Sequence, residues 1–124
     1  MSDVRTYAAE ARSTQTFGRV LASARNHHVV VDGPVWNGCP GEAMTPGELF
    51  MASIATCAVE LLEVIARAEE VPLEGSQVAI KGEVDPANPV RRDVTVFNRV
   101  DLRFDVRGVT QDQAEFLVER FKAR

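Results

Sequence analysis

The stretch from Thr45 to Glu70 reads TPGELFMASIATCAVELLEVIARAEE, and the rest of the chain is best understood around it. No Gly or Pro falls between Glu48 and Glu70, so nothing in the backbone interrupts a helix there. Thr45 offers a capping hydroxyl, Pro46 suits the first helical position, and Glu48 stands three residues past the cap, the spacing of a capping box. One helix of roughly 24 residues, about 36 Å long, is predicted. Residues 49–59 are apolar or small on every side, as in a helix buried all round. Glu60, Glu63, Arg67 and Glu70 then recur at helical spacing and give the second half a solvated face. A helix whose first half has no wet side needs more cover than one small sheet supplies, so a partner chain is expected.

On both sides of this helix the periodicity changes to that of strands. Downstream, Val78, Ile80, Gly82 and Val84 alternate with Gln77, Ala79, Lys81 and Glu83, predicting a strand over 76–85. Val100, Leu102, Phe104 and Val106 alternate in the same way with Arg99, Asp101, Arg103, Asp105 and Arg107. One wet face on each strand favours antiparallel pairing. Asp85 to Pro89 reads as a turn leading to a further strand near 91–98. After Gly108, Thr110 and Gln113 form a second capping box, followed by a helix with Phe116, Leu117, Val118 and Phe121 on its apolar side, still running at Arg124.

Upstream, Phe17, Val20 and Leu21, then Val29, Val30 and Val31, predict two strands joined around Ala24-Arg25-Asn26. Residues 33–47 contain four Gly and three Pro, hence a loop, and it carries Trp36 and Cys39. The pattern is that of a single α+β domain over residues 1–124: a long buried helix and a C-terminal helix on antiparallel strands.

Composition narrows the function. A chain of 124 residues, 45% apolar and 26% charged, suffices for one core. Two cysteines do not make a disulfide scaffold, and Met1 to Arg5 has no apolar stretch resembling a signal peptide, so a cytoplasmic location is expected. The longest uncharged apolar-rich run, Leu49 to Val59, is 11 residues, and no membrane span is expected. A net charge of -4 argues against a general electrostatic hold on nucleic acid. His27 and His28 are adjacent near a strand, where neighbours face opposite ways, so they are a poor metal pair and no metal is expected. The charges from Arg99 to Arg107 fit a solvated sheet face. Trp36 fits loop packing or a pocket wall.

Thiol chemistry remains. Cys57 lies in the apolar half of the long helix, where a cysteine can pack as a small hydrophobe. A reactive cysteine instead needs a nearby cation or helix N-terminus. Cys57 is three turns into the helix, beyond reach of the dipole, so an arginine from elsewhere would have to serve.

The run from Thr45 to Cys57 resembles the OsmC/Ohr family of osmotically inducible and organic hydroperoxide resistance proteins, whose Pro-x-Glu-Leu is followed by small and apolar residues and then the helix cysteine. Ser23 to Gly33 upstream, Leu73-Glu74-Gly75 with the strand to Asp85, and Gly108-Val109-Thr110 opening a helix fit the same pattern. The likeness spans roughly residues 14 to 124, in a form similar to the OsmC-like branch.

The resemblance implies an OsmC-like fold assembled as an intertwined homodimer, with two long helices packed centrally and a site at each end of the interface. It implies a thiol-dependent peroxidase for organic hydroperoxides, active in oxidative stress defence, with Cys57 as nucleophile. Glu48 matches the family's glutamate, although Gly47 stands where the hydroperoxide resistance branch has that residue. Nine residues separate Glu48 from Cys57, about 13.5 Å and half a turn, so Glu48 would reach Cys57 only of a partner chain crossing antiparallel near Ala52 and Ser53. Otherwise it only closes the capping box. Arg25 and Arg19 are the candidates for the arginine that stabilises the thiolate.

The family's second cysteine, on the last helix, would fall just past Arg124. Either the natural chain continues there, this C-terminal end being truncated, or a single cysteine serves. Cys39, on the loop before the helix, is a possible secondary thiol. No cofactor is implied. Electrons would come from a small thiol or dithiol, since an unreduced sulfenic acid over-oxidises. The alternative is a non-catalytic dimer of this fold that binds a small apolar ligand at the interface.

Overall fold

The computed structural model describes residues 3–123 of the chain. It is α+β, in the order β1 (Glu10–Ser13), β2 (Arg19–Ala24), β3 (His27–Asp32), a single tight helical turn (Val35–Asn37), α1 (Pro46–Ala68), β4 (Gly75–Glu83), β5 (Arg99–Arg107) and α2 (Gln111–Lys122). The chain divides into two compact units, one up to Leu49 and one from Phe50 onward.

In the first unit β1, β2 and β3 form an antiparallel sheet in that order. The β2–β3 hairpin turns at Arg25 and Asn26, with Leu21 opposite Val30 and Val20 opposite Val31. The turn places Arg25 at φ 55, a left-handed conformation that a tight hairpin requires and that costs a non-glycine side chain some strain. All four residues of β1 are exposed, so no apolar alternation marks it, and it exists by pairing its backbone with β2.

In the second unit β4 and β5 pair antiparallel along their whole length, Val78 opposite Phe104 and Ile80 opposite Leu102. Their inward side chains meet α1 and α2 in a core of Leu62, Ile65, Ala66 and Leu117, backed by Val71, Leu73, Phe104, Val106 and Phe121. The α2 capping box is complete: the Gln113 N–H donates to Thr110 Oγ1 and the Thr110 N–H donates to Gln113 Oε1. The helix ends at Lys122 with Ala123 as its cap, short of Arg124, which lies outside the described residues.

Two further expectations change. No strand forms near 91–98; β4 passes directly to β5 through a connection over 84–98. Pro86 and Pro89 interrupt its backbone donors, and the sheet offers Val90, Val94 and Val96 no partner strand.

The first half of α1 is not buried all round within one chain either. Ala58, Leu62, Ile65 and Ala66 are the buried positions, whereas Phe50, Ser53, Thr56 and Cys57 are exposed. At 23 residues α1 is also long and apolar enough, by length and composition, to cross a bilayer, which the 11-residue uncharged run did not suggest. Its second half sets Leu62 and Ile65 into the core and leaves Glu60, Glu63 and Arg67 exposed.

Candidate functional site

Arg19 begins β2 and is held by two carboxylates. Its Nε donates to Asp32 Oδ1 at 2.8 Å and its Nη2 to Asp32 Oδ2 at 2.9 Å, while Nη2 also donates to Glu42 Oε1 at 2.9 Å. Asp32 ends β3 with its surface fully buried, so its charge needs these partners. The Glu42 N–H donates to Asp32 Oδ2 at 2.8 Å, and the Asp32 N–H donates to the Met44 carbonyl at 3.1 Å. One carboxylate thereby ties the loop after β3 to the sheet. Hydrogen bonds from the Arg19 guanidinium, aided by the Glu42 and Ala43 N–H groups, hold the Asp32 carboxyl down from 3.8 to about 2 against the opposing effect of burial. Asp32, and after it Glu42, raise the Arg19 guanidinium above its ordinary value.

The sign of the resulting pH dependence follows. A carboxyl depressed in the folded state stabilises the fold above its unfolded value, and that contribution fades as pH falls from 3.8 through about 2. Urea unfolding between pH 5 and pH 2 is expected to show this loss, on the order of the whole interval between those two values, and an Asp32→Asn variant is expected to flatten it.

Cys39 shares this unit. Its side chain lies against Gly18 and Gly33, whose backbones are joined by the Gly33 N–H donating to the Gly18 carbonyl at 2.8 Å. A Cβ on Gly33 would collide with Cys39 Sγ and come within 2.9 Å of its Cβ, and Gly18 adds a left-handed φ of +78°. The half-buried thiol is therefore seated in a glycine slot rather than on an open loop. Gly33→Ala is expected to cost about 1–3 kcal/mol by overpacking. In a Cys39→Gly background the penalty should shrink; equal costs in a double-mutant cycle measured by urea unfolding would show that the two residues are uncoupled.

Arg25, by contrast, is exposed at the hairpin tip, and among the described residues it makes no ion pair. Glu48 closes the α1 capping box: the Thr45 N–H donates to its Oε1 at 2.9 Å and its own N–H donates to Thr45 Oγ1 at 3.2 Å.

Cys57 is a free, exposed thiol on the first half of α1. The hydroxyls around it turn back onto the helix, Ser53 Oγ donating to the Phe50 carbonyl at 2.6 Å and Thr56 Oγ1 to the Ser53 carbonyl at 3.0 Å. The face beside the thiol is consequently less polar than its composition suggests. A groove of about 390 Å³ runs between α1 and β4, lined among others by Ala55, Thr56, Val59 and Val78, with a buried Ser76 Oγ that has no hydrogen-bond partner. Cys57, about 100° further round the helix than Thr56, does not line it. Among the described residues no cluster of three or more His, Cys, Asp or Glu is gathered as a metal site would need.

No curated protein matches the sequence. Solved structures do match the fold. An OsmC-like protein from Mycoplasma pneumoniae superposes with a TM-score of 0.81 at 12% identity, over 97% of this chain and 82% of that one. An organic hydroperoxide resistance protein OsmC from Legionella pneumophila, described as a predicted redox protein, gives 0.72 at 23% identity over 98% and 85% of the two chains. An organic hydroperoxide resistance protein from Elizabethkingia anophelis, with thiocyanate bound, gives 0.76 at 19% over 99% and 85%. At these identities the likeness establishes the α+β fold. The OsmC-like protein family itself matches residues 39–124, a span that includes α1 with Cys57, the β4–β5 sheet and α2. The chain belongs to the OsmC-like protein family.

Proposed function

We propose that the protein is a thiol-dependent peroxidase that reduces organic hydroperoxides to alcohols, working as a homodimer in oxidative stress defence in the cytoplasm. The observation that carries this reading is the position of Cys57: an accessible thiol on the apolar half of α1, within the matched family span. The Cys57 thiolate attacks the distal oxygen of the hydroperoxide. An S–O bond forms, the O–O bond breaks, sulfur is oxidised to the sulfenic acid, and the departing alkoxide takes a proton to leave as the alcohol. Two equivalents of a small thiol, or one dithiol, then return the sulfenic acid to the thiol and release water and a disulfide.

A second copy of the chain covers the exposed first half of α1, and its Glu48 orients the peroxide or the arginine near Cys57. Arg25 or Arg19 stabilises the thiolate. The roles differ in electrostatics: the Arg19 charge is already matched by Asp32 and Glu42, whereas Arg25 has no ion-pair partner among the described residues. Apolar contact in an interface pocket favours alkyl and aryl hydroperoxides over hydrogen peroxide. With Cys39 seated in its slot, this scheme does not draw its reductant from that thiol.

Incubation with cumene hydroperoxide and a sulfenic-acid trap, followed by mass spectrometry, is expected to place the adduct on Cys57 as peroxide is consumed. Unchanged peroxide with no adduct there would leave the non-catalytic dimer as the better reading.

A further inference from the structure

The connection between β4 and β5 encloses a cleft of about 490 Å³, within the range of small-molecule sites, and Cys57 has no part in it. Its shape is held by hydrogen bonds at its base. The Asp85 N–H donates to Asn98 Oδ1 at 2.7 Å, Asn98 Nδ2 donates to the Asn88 carbonyl at 2.6 Å, and the Asn98 N–H donates to the Glu83 carbonyl at 2.8 Å. Val84, Pro86, Pro89, Val90, Val94 and Val96 contribute apolar walls. All four valines remain exposed, Val90 at 60% and Val94 at 47%, which is unusual for a segment that could have folded onto its own sheet.

The charged groups of the cleft are not equivalent. Asp85 accepts from the Ala87 N–H and from Asn88 Nδ2, both at 3.0 Å. Asp93 is gripped by Arg91 through two parallel hydrogen bonds, the Nε contact at 3.0 Å. Asp93 thus has a cation for a partner, whereas the Asp85 carboxylate is met by neutral N–H donors of its own turn. Among the described residues Arg92 has neither a hydrogen bond nor an ion pair, and it lines the same cleft. Asp85 spends its acceptors on its own turn, so among the described residues Arg92 offers the cleft's free charged donors, and apolar walls beside a free guanidinium suit an amphiphile with an anionic head.

We propose that this cleft binds a small organic monoanion, its apolar body against the valines and prolines and its carboxylate on the Arg92 guanidinium. Because the cleft lies wholly within the second unit and excludes the thiol, the assignment stands apart from the peroxidase reading.

The test compares octanoate with 1-octanol, which share an apolar body, by titration against protein with methyl-labelled valines. Octanoate is expected to shift the methyls of Val90, Val94 and Val96 and to bind at least about tenfold more tightly than octanol. Arg92→Gln should reduce octanoate to the octanol level, while Arg92→Lys should retain most of the difference. Arg92 is exposed, so the variants should keep the native methyl spectrum, which the same titration records. The proposal is overturned if the two probes bind equally, if neither moves the loop methyls, if the shifts fall instead on Val59 and Val78 of the α1–β4 groove, or if Arg92→Gln leaves octanoate affinity unchanged.

Discussion

Replacing Cys57 by Ser is expected to lower cumene hydroperoxide consumption to the rate of the protein-free solution and to abolish sulfenic-acid trapping, while Cys39→Ser retains both. The serine hydroxyl is isosteric but, with a pKa far above neutrality, lacks the population of anionic nucleophile that a thiolate supplies. Because Cys57 is exposed in the single chain, the substitution should leave the far-ultraviolet circular dichroism spectrum unchanged and move unfolding by no more than about 0.5 kcal/mol. Peroxide consumption at the wild-type rate by Cys57→Ser would refute the proposed mechanism.

The arginines can be separated in the same assay. Loss of the arginine that faces the thiolate should slow both Cys57 alkylation and peroxide consumption at a fixed pH. Arg19→Gln carries its own control, because it leaves the buried Asp32 carboxylate without its guanidinium and should also lower stability. Arg25→Gln at the hairpin tip should not.

The second large effect is structural. Leu62→Ala is expected to destabilise the second unit by about 2–5 kcal/mol, because Leu62 is fully buried and its removal leaves a cavity among Ile65, Ala66 and Leu117. Urea unfolding followed by circular dichroism measures the change as a lower midpoint at an unchanged slope. Leu117→Ala should fall in the same range. The double variant should cost less than the sum, since both residues border the same cavity. A change below about 1 kcal/mol for Leu62→Ala would mean that the site collapses around the smaller side chain.

These expectations rest on elements that differ in how plainly the sequence announced them. Both helices were legible because their starts are written in local chemistry: Thr45 with Glu48, and Thr110 with Gln113, each form the capping box their spacing implies. β4 and β5 were legible because each buries one face, so alternation shows. β1 was not, since all four of its residues are exposed and its pairing uses backbone groups common to every residue. The segment near 91–98 misled in the opposite direction: its valines have strand propensity, but propensity forms no strand without a partner edge.

The candidate site divides along the same line. The position of Cys57, the capping spacing of Glu48 and the candidacy of Arg19 and Arg25 on the β2–β3 segment could be read from the chain. Asp32 gave no comparable signal, because a single acidic residue at a strand end is usually solvated. Only folding buries it completely and sets Arg19, Glu42 and the loop backbone around it. Cys39 likewise read only as a loop thiol and possible secondary thiol, and nothing local announced that the fold sets it against Gly18 and Gly33, fifteen residues apart in sequence.

Residue identity thus settled the α+β class, the two helices and the cysteine worth testing, because capping and periodicity act over a few residues and are written locally. Three-dimensional packing alone settled which charges are paired, which thiol is seated and which arginine is left uncompensated. Those outcomes depend on desolvation and on close approach between residues far apart in the chain, and no local pattern encodes either.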